Sequence, residues 1–103
     1  MNPATRLHLC VLASGSTGNC SVLRIDRPGT APELLLIDAG ISPRRTRATL
    51  SALGVGHLPL SGVVLTHLDH DHWHKGWLAA LPSATPVWCH REHHPRARSL
   101  SMQ

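Results

Sequence analysis

The chain has 103 residues, enough for one small domain near the lower end of the usual range. Hydrophobic residues make up 42% and charged residues 16%, a composition that excludes a disordered chain. The net charge of +4 rests on nine Arg and one Lys; it suits polyanionic partners such as nucleic acid or phosphate esters, and equally a merely soluble surface, because the Arg are scattered.

Leu7 to Ala13 is a short apolar run that predicts a buried strand, closed by the turn-forming residues Ser14 to Asn19. Cys20 to Ile25 reads as a second strand, and Asp26-Arg27-Pro28-Gly29 as a turn. Glu33 to Ile37 predicts a third strand, Leu-rich and covered on both faces, which runs into Asp38-Ala39-Gly40. A first helix follows, with Ser42 as N-cap, Pro43 at the first helical position and Gly54 as C-terminal cap. Its apolar edge is Leu50 and Leu53, while Arg44, Arg45 and Arg47 face solvent. Gly62 to Thr66 predicts a fourth strand ending at a histidine cluster. Trp73, Trp77, Leu78 and Leu81 recur at helical spacing, which predicts a second helix from Trp73 to Leu81 before Pro82. Pro86 to Cys89 is a short fifth strand, and the residues from His90 onward read as a weak helix or frayed tail. The expected class is α/β, a mixed sheet with flanking helices.

Neither Tyr nor Phe is present, so the core must rest on aliphatic side chains and three Trp. Cys10, Cys20 and Cys89 are odd in number and form no CxxC pair; they are expected to be buried reduced thiols. The amino-terminal residues are too short and too interrupted for a signal peptide or membrane span, so a cytoplasmic location is expected.

Seven of the nine histidines fall between His67 and His94. At a strand end positions 67 and 69 point the same way, and Asp71 and His72 lie where the chain turns. His67, Asp69, Asp71 and His72 could therefore converge as metal donors from six consecutive residues. Imidazole and carboxylate suit zinc, manganese or iron. Any one of these residues could belong to a solvated loop, but Asp69 and Asp71 would repel one another without a cation between them.

Thr66-His67-Leu68-Asp69-His70-Asp71-His72 resembles the His-x-His-x-Asp-His signature of the metallo-β-lactamase-fold hydrolases. Leu35-Leu36-Ile37-Asp38-Ala39-Gly40 is similar to the strand-Asp-x-Gly element of that fold. Ser14-Gly15-Ser16-Thr17-Gly18-Asn19 resembles the Ser-Gly-Ser-x-Gly-Asn loop of an exonuclease- and phosphodiesterase-like branch. The resemblance implies the amino-terminal half of an αβ/βα sandwich, so residues 1–103 are expected to be a single, incomplete domain. It also implies a dinuclear zinc site, in which His67 binds the first ion, Asp71 and His72 bind the second, and Asp38 orients a ligand histidine. Asp71 is the expected catalytic carboxylate. His70 falls at the variable position and is expected to point away, and His74, His90, His93 and His94 read as surface residues.

Asp69 stands where the signature has a histidine, a harder ligand that favours Mn²⁺ or Fe over Zn²⁺. Further ligands of the family come from beyond the first half. The expected function is therefore a metal-dependent hydrolase of phosphodiesters, nucleic acid among them; the alternative is a truncated, non-catalytic metal-binding or pairing module of the same ancestry. An exposed half-domain face would favour self-association. A basic nucleic-acid-binding protein is a third reading, without aromatic stacking platforms to support it.

Overall fold

A computed structural model describes residues 4–69, 71–93 and 95–96. Three strands, β1 (Arg6–Ala13), β2 (Cys20–Asp26) and β3 (Glu33–Ala39), lead into helix α1 (Pro43–Ala52) and strand β4 (Leu60–Leu65). A short helix α2 (Trp77–Ala80), strand β5 (Val87–Cys89) and a single 3₁₀ turn at Arg91–His93 complete the described elements. The five strands form one sheet in chain order. The β1–β2 and β2–β3 pairs are antiparallel, as tight connections require, whereas β3–β4 and β4–β5 are parallel and each is joined through a helical segment. The α/β mixed sheet is as expected from the sequence.

Strand alternation sorts the sheet into two unlike faces. Cys20, Val22, Leu34, Leu36, Val63 and Leu65 are buried beneath α1, which contributes Thr46 and Leu50, and beneath Trp77. Trp77 is 1% exposed, and its Nε1–H donates to the Ile41 carbonyl at 2.9 Å, satisfying the polar atom that so large a buried ring carries. On the opposite face Leu7, Leu9 and Val11 stand opposite Ile25, Leu23 and Ser21, and Leu35 and Ile37 opposite Gly62 and Val64. Leu9 is 64% and Val11 62% exposed, and Trp88 lies across Gly62 half open to solvent.

Three sequence expectations change here. β3 is covered on one face only, because the helices all pack on the Leu34–Leu36 side, leaving Leu35 and Ile37 half-buried. Cys10 is exposed on the edge strand β1, Cys20 is buried and Cys89 is partly so. The second helix is also shorter than its Trp73–Leu81 periodicity predicts. Trp73 instead makes a parallel bridge to Ala39, so its backbone is committed to extending the sheet before the helix can start. α1 matches its signals: the Ser42 hydroxyl accepts from Arg45 N–H at 3.2 Å, and Gly54 leaves the helix at φ 78°.

The burial of Cys20 has a measurable consequence. Desolvation first, helped by the charge of Asp38 and opposed by a hydrogen bond with Thr46, raises its thiol to about 11. An unfolded Cys20 loses its proton near 9.0, while the folded one keeps it to about 11. Stability is therefore complete below the lower value and falls as pH rises between the two, by on the order of 2 kcal/mol. With no Tyr and one Lys in the chain, few other groups titrate there. Urea denaturation at pH 8 and pH 10.5 should reveal the loss, and Cys20→Ala should flatten it; an equal pH slope in both proteins would refute the assignment.

Candidate metal centre

The site is assembled where β3 and β4, parallel neighbours, end side by side. β3 ends in Asp38, whose backbone is left-handed at φ 62° and is the single non-glycine residue of that kind among those described. Such a conformation costs on the order of 1 kcal/mol or more and persists where surrounding bonds over-determine it. Here they do. Asp38 Oδ1 accepts the Thr66 backbone N–H at 2.8 Å, and Oδ2 accepts the Thr66 hydroxyl at 2.7 Å. His72 Nδ1 lies 2.9 Å from the same Oδ2. Asp38 is 7% exposed, so these donors are what its buried carboxylate has in place of water.

Hydrogen-bond satisfaction then assigns the imidazoles. Since Asp38 accepts, His72 carries its proton on Nδ1 and offers the lone pair of Nε2. The Thr66 hydroxyl has given its proton to Asp38, so at 3.1 Å it accepts from His67 Nδ1–H, and His67 likewise offers Nε2. The two rings sit 4.6 Å apart between centroids. One buried carboxylate thus fixes the orientation of two histidines, directly in one case and through a threonine in the other.

Asp71 is held from behind. Its carbonyl accepts the Asn19 backbone N–H at 2.6 Å and Asn19 Nδ2 at 3.1 Å, while Asn19 Nδ2 also approaches Asp71 Oδ2 at 3.3 Å. Asn19 is itself locked into the Ser14–Asn19 loop through Gly15, from which its side chain accepts at 3.1 Å and to which it donates at 2.9 Å. Asp71 Oδ2 ends 3.5 Å from His72 Nε2. Two ligands of a tetrahedral ion with bonds near 2.05 Å are separated by roughly 3.3 Å, so this N···O pair suits a shared cation.

Of the sequence-predicted donors, the structure sets Asp71 beside His72 and the His67 ring 4.6 Å from the His72 ring, with Asp38 behind the His72 imidazole. Asp69 stands apart: it is largely exposed and ion-pairs with Arg96 at 3.5 Å. The reason is local, for Leu68 between His67 and Asp69 is drawn into the core at 4% exposure, and the Asp69 carbonyl caps the turn by accepting from His72 and Trp73 N–H. Among the described residues no group of three His, Cys, Asp or Glu side chains is gathered closely enough to hold an ion as it stands. His70 and His94 lie outside the described residues. His74, His90 and His93 are not part of the arrangement. Reading the sequence did not assign roles to Thr66 and Asn19; a threonine directly before the first histidine and an asparagine closing a glycine-rich turn were the available signals.

The model of the Metallo-beta-lactamase superfamily matches residues 14–102. The chain belongs to that superfamily. This superfamily member is 41% identical over 66 residues to an exodeoxyribonuclease, YycJ, of Bacillus anthracis, a match covering 64% of the chain and 23% of the relative. It is 34% identical over 64 residues to the exodeoxyribonuclease WalJ of Streptococcus pneumoniae strain D39, covering 62% of the chain and 22% of the relative. Superfamily membership thus comes with matches that span less than a quarter of either curated relative. In three dimensions the whole chain superposes on the DIM-1 metallo-beta-lactamase with a TM-score of 0.52 and 16% identity, covering 45% of that protein, a likeness of fold. No helix among the described residues is long and apolar enough to cross a membrane.

Proposed function

We propose that the chain supplies metal ligands of a zinc-dependent hydrolase that cleaves phosphodiester bonds, with nucleic acid as substrate and the cytoplasm as its compartment. The observation that supports this most is the chain of bonds from Asp38 through Thr66 to His67 and His72. It spends a buried carboxylate and a strained backbone on orienting two imidazoles, of which His72 has its Nε2 beside the Asp71 carboxylate. The exonuclease names of the relatives, and the excess of basic over acidic residues, agree with a polyanionic substrate.

The donor set of imidazole plus carboxylate fits zinc, with Mn²⁺ or Fe as the harder alternatives, and in a dinuclear arrangement His67 serves one ion and Asp71 with His72 the other. Bound metal would supply Lewis acidity toward phosphoryl oxygens and toward water. The protein's own contribution is orientation. Asp38 keeps His72 in one tautomer, Thr66 does the same for His67, and Asn19 aims Asp71, whose carboxylate would accept a proton from an attacking water.

A second reading, a non-catalytic metal-binding module that pairs with another copy, is favoured by the uncovered sheet face. Leu7, Leu9, Val11 and Trp88 each stand about half or more exposed on that face, as apolar residues of an association surface do. One experiment separates the two: titrate the purified chain with Zn²⁺ and Mn²⁺ by calorimetry, then assay bis(p-nitrophenyl) phosphate and end-labelled single-stranded DNA. Metal-dependent turnover supports the hydrolase. Metal binding without turnover, with a dimer in sedimentation that Leu9→Glu dissociates, supports the module. Absence of metal binding would sink both.

A further inference from the structure

The centre described above leaves a neighbouring recess unexplained. It measures about 380 Å³ and is lined by Thr17, Gly40, Trp73, His74 and Lys75. Every polar side chain in that lining can donate a hydrogen bond, and none is a carboxylate. Lys75 is exposed, and among the described residues no hydrogen bond or ion pair engages its ammonium or the Thr17 hydroxyl. His74 Nδ1 accepts the Gly76 backbone N–H at 3.0 Å, which puts the imidazole proton on Nε2 and makes the free nitrogen a donor. Trp73 is 6% exposed, yet its Nε1–H has no acceptor; it is the sole buried side-chain N or O atom of that kind among the described residues. A buried donor without a partner costs about 1–3 kcal/mol, which an anionic oxygen that reached it would recover.

The surrounding charge has the same sign. A Cβ placed on Gly76 would meet Pro43 Cδ at 3.2 Å, so the first turn of α1 abuts the His74–Gly76 turn. That first turn carries Arg44 and Arg45 and no acidic residue, the reverse of what the helix dipole favours. Lys75 and the donors of Thr17, Trp73 and His74 thus line the recess, with Arg44 and Arg45 on the adjoining turn of α1. The recess also touches the candidate metal centre, because Gly40 packs on the Asp71 carbonyl and Trp73 follows His72 in the chain.

We propose that this recess is a phosphate-recognition subsite that holds a second phosphate of a nucleic-acid strand, through Thr17, Trp73, His74 and Lys75, beside the bond to be cleaved. The proposal rests on the phosphodiesterase reading for its substrate, but phosphate binding itself needs no metal. It can therefore be tested on chelator-treated protein, where failure of the metal reading has no effect.

The measurement is calorimetric titration of the full chain, in chelator, with inorganic phosphate and with a short oligodeoxynucleotide bearing either a 5′-phosphate or a 5′-hydroxyl. Phosphate should bind, Lys75→Ala should weaken it about tenfold and Lys75→Arg should restore it in part. Trp73→Phe, which keeps the ring and removes only the N–H donor, should weaken it about fivefold, a change that a loose surface cation would not produce. A preference for the 5′-phosphorylated strand assigns the recess to a terminal monoester, whereas equal binding of both strands, still sensitive to Lys75→Ala and Trp73→Phe, assigns it to an internal diester. Unaltered far-ultraviolet dichroism and Tm check that the variants are folded; a misfolded Trp73→Phe is replaced as the second probe by Thr17→Val, expected to weaken binding about threefold. No phosphate binding by the parent chain, or affinities that both variants leave unchanged, would overturn the proposal.

Discussion

Alanine in place of His72 is expected to lower the affinity for Zn²⁺ by at least a hundredfold, the largest functional effect of any single change in this chain. Among the described residues His72 is the one imidazole that meets both Asp38, at 2.9 Å, and Asp71, at 3.5 Å, so its loss removes a proposed ligand and leaves the buried Asp38 carboxylate without one of its three donors. Asp38→Asn is the sharper variant. Asparagine tolerates the left-handed φ of 62° at position 38, so the backbone should survive. Its amide, however, presents a donor where the carboxylate presented two acceptors, and one of the three bonds from Thr66 and His72 must break. We expect an affinity loss of about 10- to 100-fold, as for other residues that orient a metal-binding histidine. Competition against a chromophoric chelator gives both numbers. Zinc affinities within a factor of two of the parent for His72→Ala would show that the metal, if bound, is held elsewhere.

The largest effect on stability should come from Gly40→Ala. A Cβ on Gly40 would lie 1.9 Å from the Asp71 carbonyl oxygen, 2.4 Å from its carbon and 2.7 Å from Asn19 N. All three are backbone atoms, and they are tied together, since Asn19 N–H donates to Asp71 O and Gly40 N–H to Asn19 O. No rotamer change can relieve the clash; either β3 or the Asp71 loop must move. Overpacking of this kind costs about 3 kcal/mol or more, and in a chain of this size lowers Tm by roughly 12 °C or more. Gly29→Ala is the control: its Cβ meets nothing within 4 Å, and only the strain of φ 79° opposes it. A Tm for Gly40→Ala within about 2 °C of the parent would contradict the packing described here.

Most of the frame was legible because its signals are local. Apolar runs bounded by turn residues marked β2 and β3, and Ser42, Pro43 and Gly54 bounded α1 through capping chemistry that depends on a few neighbouring residues. Trp73 misled for the opposite reason. Its spacing to Trp77 is helical, but its backbone is claimed by Ala39, a pairing across 34 positions that periodicity cannot register. At the centre, His67, Asp71 and His72 could be singled out from type and order alone, and the structure sets Asp71 beside His72 and the two rings 4.6 Å apart. Asp69 looked equivalent to Asp71, yet one is aimed by Asn19 and the other pairs with Arg96, a distinction made by residues far away in sequence. The helper role of Thr66 was hidden because a hydroxyl beside a histidine has no meaning until Asp38 is placed within 2.7 Å of it.

The Asn19 clamp joins positions 52 residues apart, although the groups it aligns occupy a stretch of six. Short sequence distance among His67, Asp71 and His72 would suggest a peptide able to trap a cation on its own. In the folded chain their geometry depends on the β1–β2 loop and on Asp38 at the end of β3, so nothing short of the assembled sheet reproduces it. Ordering of this loop is consequently a late event in folding, because the loop-closure entropy of the long-range contacts must be met first. A cation that recognises the finished arrangement would then slow unfolding more than it speeds folding, and its residence time would report on the lifetime of the whole native sheet.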